Sequence, residues 1–104
     1  MGYKVPYNKA VLLFREKFIY PDGALVEMKA WAVPKSSVTP EGFKYSLVYI
    51  DPAGKRILGY DNSEMKGHHR HEGKREAAFI FISVDDVVRR FQQEVLALRK
   101  LYES

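Results

Sequence analysis

From Ala24 to Val33 the sequence alternates with a period of two. Ala24, Val26, Met28, Ala30 and Ala32 are all apolar and mostly small, and Leu25, Glu27, Lys29, Trp31 and Val33 interleave a mixed set. Such a period places the two sets on opposite faces of a β-strand, and the wholly apolar set is the one to face a core. Just before it, Pro21-Asp22-Gly23 supplies a fixed φ followed by a residue that accepts positive φ, a hairpin-loop signature. Ala10 to Tyr20 also alternates, with Ala10, Leu12, Phe14, Glu16 and Phe18 against Val11, Leu13, Arg15, Lys17 and Ile19. Lys9 to Phe18 carries some helical periodicity as well, and the turn that follows decides for a strand. The two segments are expected to form an antiparallel hairpin.

The same punctuation divides the rest of the chain. Pro34 to Gly42, with two prolines, two serines and a threonine, reads as a surface loop. Phe43 to Ile50 alternates again, Asp51-Pro52-Ala53-Gly54 makes a second turn, and Lys55 to Asp61 returns as a shorter strand. Asn62 to Arg75 is polar throughout. Ala77 to Ile82, AAFIFI, is a compact apolar run that reads as a buried strand. Ser83 then offers an N-cap, with Asp86 placed to favour a helix N-terminus. Val84, Val87, Val88, Phe91, Val95, Leu98 and Leu101 recur at helical spacing. The expected fold is α+β: about five mostly antiparallel strands followed by one C-terminal amphipathic helix, Val84 to Tyr102, packed on one sheet face. The other face is expected to leave Val11, Leu13, Ile19, Leu25, Trp31 and Val33 for a homodimer or a dedicated partner to cover.

At 104 residues the chain has room for one domain, 1–104. It carries no cysteine, which excludes a disulfide framework, a Cys-based zinc finger, an iron–sulfur site and a thiol nucleophile, and fits a reducing cytoplasm. No apolar run reaches the length of a membrane span, and Met1 to Asn8 shows no secretory signal. P-loop, GxGxxG, GxSxG, HExxH and EF-hand patterns are all missing, so no cofactor is expected. The net charge of +4 permits an anionic partner without demanding one.

Only Tyr60 to Glu76 looks more specialised than scaffold. All three histidines, His68, His69 and His71, lie there, and Lys66, Arg70, Lys74 and Arg75 stand against Glu72 between Lys66 and Arg75. If His69-Arg70-His71 is extended, the first and third side chains share a face, with Cβ atoms roughly 6–7 Å apart. Paired imidazoles suit general acid–base work on a phosphodiester, one taking the 2′-hydroxyl proton and one protonating the leaving oxygen. Lys66 or Arg70 would stabilise the charged phosphorane. A phosphate-binding loop, a metal held by two imidazoles and Asp61, and a merely solvated turn are the alternatives. Adjacent Lys and Arg disfavour the metal. Trp31 is either an anchor for a partner or covered by the Pro34–Gly42 loop.

These residues resemble the TumE-type toxins of prokaryotic toxin–antitoxin pairs. The likeness runs through Phe14 to Pro34, Gly42 to Ile50, Tyr60-Asp61-Asn62, Lys66 to Glu76, Phe79-Ile80-Phe81 and the helix, and its specific part is YDN followed by KGxHxH. Tyr60, Asp61, Asn62, Lys66, Gly67, His69, Arg70, His71, Gly73 and Glu76 match the pattern, whereas His68 falls where it varies. The resemblance implies a toxin partnered with a DNA-binding, helix-turn-helix antitoxin. Combined with the histidine pair, it suggests a metal-independent ribonuclease. In that reading His69 and His71 are acid and base, Lys66, Arg70, Lys74 and Arg75 hold phosphate, and Tyr60, Asp61 and Glu76 orient the imidazoles. The rival reading is a non-catalytic nucleic-acid- or protein-binding module with a basic loop.

Overall fold

The computed structural model describes residues 9–62 and 66–103. The signal-peptide reading of Met1 to Asn8 lies outside these residues, as do Ser63, Glu64 and Met65 of the polar segment. The strands are β1 (Val11–Ile19), β2 (Leu25–Ala32), β3 (Phe43–Ile50), β4 (Arg56–Asp61), β5 (His69–Glu72) and β6 (Arg75–Ala78), and one helix follows, α1 (Val84–Glu103). All strands pair antiparallel with their sequence neighbours in a single sheet of order β1-β2-β3-β4-β5-β6. The architecture is α+β, with six strands where about five are read from the sequence. Among the described residues no helix is long and apolar enough to cross a membrane.

The turns form as their residues dictate. Asp22 Oδ1 accepts the Ala24 N–H at 3.0 Å, and Gly23 adopts φ +93°, which a side chain would strain. Asp51 Oδ1 accepts the N–H groups of Ala53 and Lys55. The apolar face of β2 is buried as expected, and Ala24, Val26, Met28 and Ala30 join Tyr45, Leu47 and Tyr49 of β3, Leu58 and Tyr60 of β4, and Val87, Phe91 and Val95 of α1 in one core. The helix packs on β3 and β4. Ser83 caps it, its Oγ accepting the Asp86 N–H at 3.0 Å. Near the other end, Arg99 lies over the Tyr20 ring at 3.6 Å and donates to Tyr49 Oη and Asp22 Oδ2, clasping the helix to the β1–β2 turn. Leu101, counted in the apolar stripe, is exposed past that clasp, and Val88 and Leu98 are only partly buried.

Three expectations are corrected. Ala77 to Ile82 is not a buried strand. Strand β6 begins at Arg75, ends at Ala78 and is exposed along its length, because it is the sheet's last edge and the helix sits over β3 and β4. Phe79 and Phe81 then turn inward, while Ile80 (84% exposed) and Ile82 (72%) face solvent. The polar segment Asn62 to Arg75 is not all loop, since it supplies β5 and the turn to β6. Finally, a register shift between Leu12 and Phe14 puts Val11 opposite Ala32 and Leu12 opposite Trp31, so Leu12 rather than Val11 belongs to the face without the helix. That face is not the contiguous apolar patch expected, because Arg15, Lys17, Glu27, Lys29 and Ser46 run through its middle.

Phe91 is fully buried at the centre of the helix–sheet contact, edge-on to Tyr60. Replacing it by alanine should cost about 3–5 kcal/mol, read from the urea midpoint of the purified protein at unchanged slope. A change below about 1 kcal/mol would mean that the helix does not pack here.

Candidate functional site

Strand β4 ends in Tyr60-Asp61-Asn62, and the three side chains go to three places. Asn62 is buried and continues the β3 pairing with its amide: Oδ1 accepts the Tyr45 N–H at 3.1 Å and Nδ2 donates to the Phe43 carbonyl at 2.7 Å. Tyr60 points to the helix side and Asp61 to the open side. Strand β5 pairs with β4 so that Tyr60 opposes Arg70, while Asp61 opposes His69 and Gly59 opposes His71. Directly opposed residues share a face. Alternation therefore separates His69 and His71 from Arg70.

On the open face, His71 Nε2 lies 3.1 Å from Asp61 Oδ2, and its Nδ1 lies 3.8 Å from Glu76 Oε2, contributed by β6. Lys66 Nζ reaches the other oxygen of Glu76 at 3.5 Å. His69 Nδ1 lies 3.2 Å from the Gly67 carbonyl. A carbonyl oxygen only accepts, so Nδ1 carries a hydrogen, and in the neutral ring the lone pair is on Nε2. The structure thus brings together His69, His71, Asp61, Glu76 and Lys66. It adds a residue that the sequence did not flag. Gly59, opposite His71, has no side chain, and the Arg56 side chain lies across its open face, where a Cβ would come within 3.4 Å of Arg56 Cδ. No pattern in the sequence marks Arg56, because its placement depends on the shift in β3–β4 register between Tyr49 and Ile50.

Arg70 and Tyr60 belong elsewhere. On the helix face the Tyr60 hydroxyl donates to Glu94 Oε1, and Arg70 donates to the same carboxylate through Nε (3.1 Å to Oε2) and Nη2. Arg70 Nη1 also donates to Glu72 at 3.2 Å. The Glu94 hydrogen bond holds the guanidinium above even its usual range. Burial and then Glu94 push the Tyr60 phenol up. Burial alone would raise the Glu94 carboxyl, but the bonds from Arg70 and Tyr60 outweigh it and leave Glu94 below the usual carboxylate range. The phosphate role read for Arg70 and the imidazole-orienting role read for Tyr60 find them both turned from His69 and His71 and engaged by α1.

His68 is packed. Its ring stacks on Phe81 at 4.2 Å, its Nδ1 meets Tyr45 Oη at 2.8 Å and its Nε2 meets Glu41 Oε1 at 3.1 Å. Lys74 and Arg75 are exposed where β5 turns into β6, with Gly73 at φ +58° making the turn. Arg75 is opposite Glu72 and so lies on the Arg70 side. Among the described residues no three His, Asp or Glu side chains converge as a metal site.

A protein-family model described as Toxin TumE matches residues 3–99 of the chain. No curated protein and no solved structure matches it.

The Glu94 cluster has a pH signature. A carboxyl lowered by folding adds stability above its unfolded value, roughly pH 4.3, and loses it as pH falls through the folded value. Acid unfolding followed by circular dichroism should therefore become less steep below that point in Glu94→Gln, which should also be less stable at neutral pH. Equal slopes in the two proteins would show that Glu94 is not held by Arg70.

Proposed function

Since the chain belongs to the TumE toxin family, we propose that it is the toxin of a toxin–antitoxin pair and acts by cleaving RNA without a metal, through His69 and His71. The observation that carries this reading is the open-face arrangement of His71 between Asp61 and Glu76, beside His69, Lys66 and Arg56.

The two imidazoles differ in a way that suits the two halves of the reaction. His69 donates to Gly67 through Nδ1, so in its neutral form the lone pair is on Nε2. It takes the proton of the 2′-hydroxyl, and the resulting oxygen attacks the adjacent phosphorus. His71 lies between two carboxylates, within hydrogen-bond reach of Asp61 at Nε2 and at ion-pair distance from Glu76 at Nδ1. It gives its proton to the departing 5′-oxygen as the P–O bond breaks. The products are a 2′,3′-cyclic phosphate and a 5′-hydroxyl, and the proton gained by His69 equals the one lost by His71. Arg56 and Lys66 are the cations for the phosphorane, the part first assigned to Lys66 and Arg70. Lys74 at the β5–β6 turn adds a phosphate contact further out, whereas Arg75 lies on the Arg70 side and is left out of it. A helix-turn-helix antitoxin and a homodimer complete the reading, with the cytoplasm as the place of action.

The test is cleavage of a labelled RNA by the purified protein. His69→Ala and His71→Ala should each lower the rate about 10²–10⁴-fold while the melting temperature holds, and the wild-type rate should follow a bell-shaped pH curve, one histidine being neutral and the other charged. Chelator should leave the rate unchanged, and the upstream fragment should end in a cyclic phosphate. Loss of activity on chelation, or a 3′-hydroxyl end, would refute the mechanism. Salt-sensitive RNA binding by a wild-type protein that never cleaves would favour the binding module.

A further inference from the structure

The open face extends well beyond the histidines, and strand register shows what it carries. One row of opposed residues crosses the sheet as Arg15, Lys29, Ser46, Asp61 and His69. The next runs Lys17, Glu27, Val48, Gly59, His71 and Glu76, and a third runs Leu12, Trp31 and Lys44. With Arg56 lying across Gly59, β1 to β4 present Arg15, Lys17, Lys29, Lys44 and Arg56 there against Glu27 and Asp61. Glu27 is itself occupied, at 3.6 Å from Arg15 and 3.8 Å from Lys29. Trp31, the only tryptophan, is half-buried on this face, with Lys29 Nζ 6.0 Å from its ring centre. In its row it stands between Leu12 and Lys44.

We propose that this face is a track for single-stranded nucleic acid, with Trp31 as the platform on which a base stacks and Lys29, Lys44 and Arg15 as the backbone contacts. The proposal rests on the reading of the histidines as an RNA-cleaving pair and names where the rest of the strand lies. The occupant follows from charge and shape. A cationic face that carries an aromatic between cations matches a polyanion with flat bases, and stacking on an aromatic ring tolerates any base. Trp31 in β2 and His69 in β5 are three strand spacings and one row apart, about 16 Å, a distance that a short oligonucleotide spans. Lys29 and Lys44 at the platform, and Arg56 and Lys66 beside the imidazoles, hold the chain at both ends so that a phosphodiester arrives at the imidazoles, which fixes position along the strand without reading sequence.

Trp31 makes the test direct. A dodecameric oligouridylate and its 2′-deoxy counterpart, which cannot form a cyclic phosphate, are titrated into the full chain while Trp31 emission is followed. Both should quench it saturably. Lys29→Ala and Lys44→Ala should each flatten the dependence of log affinity on log salt by about 0.7, the worth of one phosphate on a single strand. Trp31→Ala, followed by anisotropy of a labelled oligonucleotide, should bind about tenfold more weakly. Lys44 is exposed, so its variant keeps the test valid if Trp31→Ala does not fold. Histidine-dependent cleavage with Trp31 emission unmoved and salt slopes unaltered would overturn the track and leave the cleavage reading standing. Quenching by the deoxy strand in a protein that never cleaves RNA would support the track and sink the cleavage reading. Emission moved by an acidic protein partner but by neither oligonucleotide would assign the face to a protein and overturn the proposal.

Discussion

One carboxylate organises this molecule. Glu94 projects from the helix to the sheet and binds both the Tyr60 hydroxyl and the Arg70 guanidinium, joining α1, β4 and β5 at a single point. The strand alternation does the rest. With Arg70 fixed on the helix side, His69 and His71 have only the open side to occupy, and Asp61 faces them because Tyr60 beside it is committed to Glu94. Removing a partner from such a partly buried cluster leaves the others with unpaired polar atoms, so the cluster holds β5 in register more firmly than its four residues of pairing would.

Most of the fold was legible because it is written in periods. The apolar set of β2, the two Asp- and Gly-bearing turns and the helical stripe of Val87, Phe91 and Val95 each follow from residue spacing alone. The edge was not legible. Backbone pairing of β5 with β4 is indifferent to side chains, and a strand flanked by solvent on one face and ion pairs on the other has no apolar period to betray it. The run AAFIFI misled for the opposite reason, since its apolarity serves two inward aromatics, Phe79 and Phe81, and leaves Ile80 and Ile82 outside. The bulge near Leu13 has no sequence mark at all.

The site was legible to a similar depth. The spacing of His69 and His71 gives their shared face, and Asp61 within reach of one ring follows once β4 and β5 are neighbours. Arg70 was misplaced because a guanidinium between two histidines looks available until its partner, 24 residues away in the helix, is known. Glu94 lies outside the apolar stripe of the helix, and nothing in its spacing marks it. Arg56 is visible only after register is known, and His68, already set apart because it falls where the family pattern varies, is an aromatic brick between Tyr45 and Phe81.

The order of elements along the chain has a further consequence. Every strand pairs with its sequence neighbour, so the sheet can grow hairpin by hairpin with short loops to close, the kind of topology that forms quickly. The helix comes last. Synthesis runs from the N-terminus, so Tyr60 and Arg70 are both made before the Glu94 that binds them. The open face therefore acquires its final geometry only when the last element has been translated, and a truncated product lacking that helix would present the histidines without the carboxylate that fixes the strand bearing them.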